Sequence, residues 1–545
     1  MSAWFEHLPI LPVIVPLAFG AAMLLMRDSH RRAKLALGII SMLVQLVVAT
    51  TLLRITDGTI PSDWPNGVGV YLLGDWPAPF GIVVVVDRLS TVMLVLTALL
   101  GTTTWIYGTA RWDRAGVHFH PLFQFLLMGL NGAFLTGDLF NLFVFFEVLL
   151  AASYGLMLHG SGTARVGAGL HYIVVNLLAS FLLLIALALI YGASGTLNMA
   201  DLAVRAGALM GPDRLLFEAG AAILGTAFLI KAAAWPLNFW LPPAYAHASA
   251  PVAGVFAIMT KVGIYALLRI GSLLLPTGAP AAFGGEWMFP LGIATLVFGT
   301  IGMLASQQGE RLAGYCVIVS SGTLLAALGM PGVTLTGPAL FYMINSVLAA
   351  GALYMLLEMV ERTQAFGADL LAISLEAFDL EDPEMSDRSD DVVGVAIPAA
   401  MAFLGMSFMA CALLIIGLPP LSGFVAKFSL LSAALETSST DTPSTGAWFL
   451  VTMVLVSGLA GILAFGRTGI RLFWSSEETV TPRLRISEAA PVGALILACI
   501  LLAFWAGPIM NYLEDAARYL DRPDAYIEAV LDQNPLRHIA PGGVR

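Results

Sequence analysis

The feature that most constrains the fold of this 545-residue chain is its succession of long apolar runs, separated by short polar stretches. A helix needs about 20 apolar residues to cross a hydrocarbon layer of ~30 Å. About fourteen runs approach or exceed that length: 8–26, 33–53, 80–107, 121–135, 139–158, 166–191, 215–246, 251–275, 287–306, 312–330, 335–359, 395–435, 448–465 and 486–512. They stay apolar throughout and do not alternate with period two, so helices are expected and a β-barrel is not. Only 11% of residues are charged, against about 25% in soluble domains. The expected class is an all-α polytopic membrane protein.

Two runs are too long for one straight span. A helix over 215–246 would reach roughly 48 Å and one over 395–435 roughly 60 Å. The first contains Trp235-Pro236 and Pro242-Pro243, the second Pro419-Pro420, and each carries one lysine near the prolines, Lys231 and Lys427. Paired, proline-interrupted hydrophobic segments in two halves of a transporter mark its ion site. Both are expected to be broken helices within the membrane.

The loops set the expected orientation. Alternate loops carry fourteen Lys and Arg residues, among them Arg31, Arg111, Arg165, Arg311, Arg388 and Arg467, while the opposite set carries four before the tail. By the positive-inside rule both termini face outside. The net charge of −10 is concentrated in an acidic connection around 369–391 and in the tail. No basic, aromatic-laced surface suggests nucleic-acid binding. Residues 1–7 lack a basic leader, so no cleavable signal is expected. A stretch over 508–531 is expected to form an amphipathic helix on the outer surface. Cys316, Cys411 and Cys499 stand singly in apolar runs and make no metal or redox motif.

Few ionisable residues lie deep in the runs. Glu147 has no charged residue within eight positions on either side, which puts it near mid-membrane, where an unpaired carboxylate costs several kcal/mol. Lys231, Lys261 and Lys427 complete the set. Burial disfavours a charged lysine and a nearby carboxylate favours it, so a lysine beside a movable carboxylate can hold or release a proton. Arginine cannot, because it does not deprotonate in proteins. One acid and three lysines therefore point to proton transfer. His247, His171, Ser249, Asn345 and Ser346 are candidate relay groups, with Thr260, Ser320 and Ser321 as further polar bridges. Asp87 and Arg88 lie deeper than a loop should and are expected at a distorted helix start; Asp87 and Glu218 read as anchors.

These residues lie in stretches that resemble a known family: the antiporter-like proton-channel subunits shared by Mrp-type cation/proton antiporters and the membrane arm of respiratory complex I. The stretches are GDLFNLFVFFEVLLAASYGL around Glu147, LIKAAAWPLNFWLPPAYAHASAPVAG around Lys231, TKVGIYALLR around Lys261, ERLAGYCVIVSSG at 310–322 and GLPPLSGFVAKF around Lys427. The Glu147 and Lys427 stretches look most similar to the D-type subunit of the Mrp-type multisubunit Na+/H+ antiporter. The resemblance implies fourteen helices in two inverted repeats, with helices seven and twelve discontinuous. The expected division is 1–119, helices one to three; 120–275, the first repeat; 286–473, the second, with an acidic cytoplasmic loop at 361–394; and 474–545, the last helix and tail. It also implies that Glu147 pairs with Lys231, that Lys261 relays and that Lys427 lies near the exit. A histidine or lysine common on the family's eleventh helix is replaced here by Asn345 and Ser346.

The expected function is the proton-translocating subunit of a multisubunit monovalent cation antiporter in a bacterial inner membrane. It would act as a transporter subunit with other antiporter subunits as partners, protons and Na+ as cargo, and neither cofactor nor metal. The alternative is a proton-pumping arm subunit of a redox complex, complex I-like or a membrane-bound hydrogenase.

Overall fold

The computed structural model describes residues 6–27, 30–274, 287–331, 334–378, 399–436, 444–473 and 484–533, and for 363–378 the helix alone. The described chain is an all-helical membrane bundle with one small hairpin. Helices α1 (Leu11–Leu25) and α2 (Arg31–Thr56) lead into strands β1 (Gly69–Leu72) and β2 (Val83–Val86), which pair antiparallel. Then follow α3 (Arg88–Thr109), α4 (Phe119–Leu135), α5 (Leu139–Met157), α6 (Thr163–Ser194) and the short α7 (Met199–Ala206). Next come α8 (Gly211–Lys231), α9 (Leu241–His247), α10 (Ala250–Leu274), α11 (Met288–Ala305), α12 (Gly309–Leu328) and α13 (Thr336–Phe378). The chain continues through α14 (Ala399–Ile416), α15 (Ser422–Leu435), α16 (Thr445–Phe473), α17 (Ile486–Phe504), α18 (Ala506–Leu520) and α19 (Asp524–Leu531).

Twelve of the described helices are long and apolar enough to cross a membrane, and α4 and α15 are shorter apolar helices. α10 and α13 are the most enclosed, each with 89% of its span buried inside the protein, whereas α6, α14, α16 and α17 have 39% buried. The lysine-bearing α10 is therefore central, and the less enclosed helices turn apolar side chains outward.

Three expectations change. The run 80–107 is not one span: Val83–Val86 forms β2, and the helix starts at Arg88. Four consecutive valines are apolar enough for a span, but their β-branched side chains favour a strand. Asp87 is the N-cap of α3, accepting from the Ser90 amide while Ser90 Oγ accepts from the Asp87 amide. Burial pushes the Asp87 carboxyl up, but the Arg269 guanidinium, 2.6 Å away, together with the Ser90 bonds, holds it below its ordinary value. The run 486–512 divides at Trp505, and the tail forms two helices, α18 and α19, with Pro523 at the N-cap of the second. Residues 361–378, read as part of an acidic loop, continue α13 as helix; 379–398, with Arg388, lie outside the described residues.

The two ends of the bundle differ. One gathers Arg31, Arg165 and Arg485, whose side chains bond to the Thr109, His247 and Ala110 carbonyls. We call it the basic end. At the opposite end the tail packs over the outermost turns: Tyr512 Oη lies 3.0 Å from the hydroxyls of both Thr56 and Thr91, and Arg88 pairs with Asp515 at 3.1 Å.

Candidate functional site

Both overlong runs are broken helices. α8 stops at Lys231, and the chain stays non-helical until α9, which opens on Leu241, Pro242 and Pro243. Proline tolerates the first helical turn because its missing N–H would be unpaired there anyway. Ala233, in the break, has φ +55. α14 stops at Ile416 and α15 restarts at Ser422, with Gly417 at φ +85. The prolyl bonds Trp235-Pro236 and Pro419-Pro420 are both cis.

The three lysines are buried, with relative exposures of 5% for Lys231, 1% for Lys261 and 9% for Lys427. Each ammonium meets a neutral oxygen. Lys231 Nζ donates to Ser180 Oγ of α6 at 3.5 Å and stands 4.6 Å from the centre of the Phe146 ring. Lys261 Nζ donates to Ser321 Oγ of α12 at 3.2 Å. Lys427 Nζ reaches back across the second break to the Ile416 carbonyl at 2.7 Å.

Glu147 does not close onto Lys231 in this conformation. One of its oxygens, Oε1, is buried without a hydrogen-bond partner among the described residues. Successive helical residues point about 100° apart. The Phe146 ring faces Lys231, so its neighbour Glu147 is turned aside. Glu147 shares its side of α5 with Phe140, Val144 and Ala151, all exposed. The carboxylate is thus half-buried at the edge of the bundle.

Two features join the first break to Lys261. A Cβ at Gly263 would fall 2.7 Å from the Phe228 carbonyl oxygen and 2.9 Å from the Ala232 amide; glycine lets α10 meet the end of α8 backbone to backbone. A cavity of about 20 Å³ lies between Lys231, Asn176, Trp240 and Thr260, which is room for one water. Trp240 Nε1 is buried with no partner among the described residues.

From Lys261 towards Lys427 the side chains step from helix to helix. Ser321 accepts from Lys261, and its neighbour Ser320 donates to Ser346 on α13 at 2.9 Å. Asn345, next to Ser346, accepts from Ser422 at the start of α15 at 2.7 Å, and its Nδ2 donates to the Leu414 carbonyl at 3.4 Å. Ser320, Ser321, Asn345 and Ser422 are all at most 5% exposed. Asn345 and Ser346 therefore lie between the second and third lysines.

The other candidate relay groups stand apart. His171 is exposed, its ring bonded to the Gly167 carbonyl of its own helix. It shares the outward face of α6 with Val174, Leu178 and Phe181, so its place in the relay is withdrawn. His247 is half-buried at the end of α9 and donates from Nδ1 to the Pro243 carbonyl at 2.7 Å. Ser249 is 1% exposed, and its hydroxyl has no partner among the described residues. Sequence reasoning missed Ser180, Ser422 and Glu358. Glu358 accepts from the first amide of α10, Ala250, at 3.2 Å and from Trp112 Nε1 at 3.0 Å, so it caps the lysine-bearing helix at the basic end.

Buried lysines at two helix breaks, with a third on the helix packed between, define a membrane transporter subunit of ion-translocating type. Residues 136–459, more than half of the chain, match the family described as NADH:quinone oxidoreductase/Mrp antiporter, transmembrane, and the chain belongs to that family. It is 52% identical over 539 residues to the D subunit of a probable K+/H+ antiporter of Rhizobium meliloti (strain 1021), covering 97% of this chain and 98% of that protein. It is 31% identical over 534 residues to the D subunit of the Na+/H+ antiporter of Alkalihalophilus pseudofirmus, covering 97% and 100%. A chain in the solved structure of the Mrp complex from Dietzia sp. DQ12-45-1b superimposes with a TM-score of 0.78 at 26% identity, covering 97% of this chain and all of that one.

Proposed function

We propose that this chain is the proton-translocating subunit of a multisubunit monovalent cation/proton antiporter. The observation that carries the reading is the file of buried groups from Lys231 through Lys261, Ser321, Ser346 and Asn345 to Lys427. In it every ammonium meets a neutral oxygen, and none is paired with a carboxylate among the described residues. Two relatives matched over nearly their whole length are antiporter subunits, which supports antiport over the redox-complex reading. One is named for K+ and the other for Na+, so these are the two cations to test first.

In the proposed cycle Glu147 swings past Phe146 to pair with Lys231. At an effective dielectric near 20 a pair at 4 Å is worth about 4 kcal/mol, enough to hold Lys231 protonated. Opening the pair, as in the conformation described here, frees the proton to move towards Lys261 and Lys427. The cavity beside Thr260 offers a water position for the first step. Ser249 and His247 lie at the basic end of α10, on the side from which protons would enter. The basic end faces the cytoplasm of a bacterial inner membrane, with both termini outside. The two broken helices belong to two repeats, 120–275 and 286–473. Other antiporter subunits cover the half-exposed side of Glu147.

The test is Glu147→Gln in the intact complex, reconstituted in vesicles and assayed for proton exchange against Na+ and K+. Loss of exchange with normal assembly is expected. Undiminished exchange removes Glu147 from the cycle, and the oxidoreductase or antiporter identity of the co-purifying subunits separates the two complex types.

A further inference from the structure

A second group of buried polar side chains lies far from the lysines, in the seam between α2 and α4. α4 presents His120, Gln124 and Asn131, spaced four and seven residues apart and so on one face. α2 presents Ser41 and Gln45, four apart. All five are at most 5% exposed. They form a ladder. Ser41 Oγ donates to Gln124 Oε1 at 2.8 Å, and Gln45 Nε2 donates to Ser41 Oγ at 3.1 Å. Asn131 Nδ2 donates to Gln45 Oε1 at 3.3 Å and to the Pro12 carbonyl at 2.8 Å.

The seam covers about half of a ~30 Å hydrocarbon layer. His120 to Asn131 spans about 16 Å of helix. At the basic end Asp113 bonds to Arg31 and stands 3.8 Å from His120 Nε2. At the far end the ladder stops on Pro12, in the first turn of α1.

Amide ladders hold membrane helices together, but a complete ladder leaves nothing over. This one leaves six buried atoms without a hydrogen-bond partner among the described residues: Trp105 Nε1, Asp113 Oδ1, both ring nitrogens of His120, Gln124 Nε2 and Asn131 Oδ1. Trp105 belongs to the seam, since its ring packs over Gly38 of α2 and lies 5.6 Å from the His120 ring. Each unmet buried polar group is costly to leave unpaired. The kinds of group left over select the ligand. The Trp105 indole can only donate, Gln124 Nε2 can only donate, and Asn131 Oδ1 can only accept. An alkali cation would satisfy the acceptors alone and an anion the donors alone. Water serves both, and buried waters typically make about three such bonds.

We propose that the α2–α4 seam is a binding site for a file of water molecules, entered at the basic end beside Asp113 and His120 and reaching Asn131. It is separate from the lysine file and does not depend on the assigned function. Deeper than Asp113 and His120 the described residues of the seam carry no ionisable side chain, so it brings water, not a side-chain proton relay, into the first helices of the subunit.

Radiolytic hydroxyl-radical footprinting of the intact complex in lipid nanodiscs tests this, because radicals arise where water is bound. Each residue's labelling is normalised to its rate in the unfolded chain. Trp105, 1% exposed, is expected to be labelled, while Met355, fully buried in α13, is protected. In a Gln45→Leu/Gln124→Leu variant, Trp105 labelling is expected to fall to the Met355 level. Equal protection of Trp105 and Met355 in the native complex overturns the proposal, and so does labelling of Trp105 that survives the double substitution. Should the variant fail to assemble, the native comparison decides alone.

Discussion

The two broken helices place a lysine on opposite sides of the gap and arrive at related arrangements by different means. Lys231 is the last residue of α8, whereas Lys427 lies well inside α15, beyond the second gap. In the first break, backbone amides close the helix end: Ala232, Ala233 and Ala234 donate to the Phe228, Ile230 and Leu229 carbonyls. In the second, Gly417 and Leu418 both donate to Leu413, and the Ile416 carbonyl is taken by the Lys427 ammonium itself. The end of a helix exposes unpaired carbonyls and the negative pole of its dipole, and both favour a cation. Lys427 serves the C-terminal end of the first half-helix in this way, whereas the Lys231 ammonium turns to Ser180 and Phe146. The difference is that Lys427 is part of the second break's structure, while the first break is closed without Lys231.

The most severe test of this comparison separates charge from proton release. Lys231→Arg and Lys427→Arg each keep a cation, but arginine holds its proton. Exchange in vesicles is expected to fall on the order of 100-fold in both, the usual weight of a lost proton-transfer group. The alanine variants should then diverge. Lys427→Ala leaves the Ile416 carbonyl unmet and should cost about 1–3 kcal/mol in the thermal stability of the purified complex. Lys231→Ala strands no carbonyl, and its melting temperature should stay near the native one. Equal destabilisation by the two alanines would show that the breaks are not built differently.

Much of this was legible in the sequence. The breaks could be read because runs of 32 and 41 residues cannot be straight spans and both carry prolines. The deep charges could be read because so few exist. What was not legible depends on direction in space. That Phe146 and not Glu147 faces Lys231 is set by the rotation of α5 against α8, which no spacing within α5 reveals. His171 resembled a relay group, but the exposed Val174, Leu178 and Phe181 at helical spacing put it on the outer face. Ser180 and Ser422 are single hydroxyls among many in apolar helices, and only tertiary packing shows which of them meets a lysine or Asn345. The valines before Asp87 were apolar enough for a span, so apolarity alone put the helix start too early.

The first break is tied to a neighbouring helix within its gap, the Trp235 amide donating to Thr295 Oγ1 of α11 at 2.9 Å, whereas the second is tied at both of its half-helices. Asn345 holds Ser422 and the Leu414 carbonyl at once, joining α13 to both halves of the broken helix. Asn345→Leu keeps the bulk and removes both bonds, and should cost about 1–3 kcal/mol. The expected readout is a lower melting temperature together with reduced exchange, since the start of α15 carries Lys427. Unchanged melting would mean that the prolines alone shape this break.

The glycine of the second break provides a smaller effect of known sign. Gly417 sits at φ +85, and a Cβ there would fall 2.6 Å from Lys427 Cδ. Gly417→Ala should cost roughly 1–2 kcal/mol from the left-handed backbone alone, and it should push the lysine off the Ile416 carbonyl. Loss of stability with intact exchange would separate the backbone effect from the lysine's position.

The first break predicts the opposite sign at its own left-handed residue. Ala233, at φ +55, is fully buried. An L-residue in that region pays roughly 1–2 kcal/mol that glycine does not, although glycine also gains freedom in the unfolded chain, which offsets roughly 0.4–1 kcal/mol. Ala233→Gly should therefore raise stability slightly or leave it level, and the methyl it removes is small. Exchange should persist, because Lys231 is held by Ser180 and Phe146 and not by the break. A clear drop in melting temperature would mean that the Ala233 methyl fills space the backbone term ignores. The first break would then be as closely fitted to its side chains as the second, and the contrast between them would be lost.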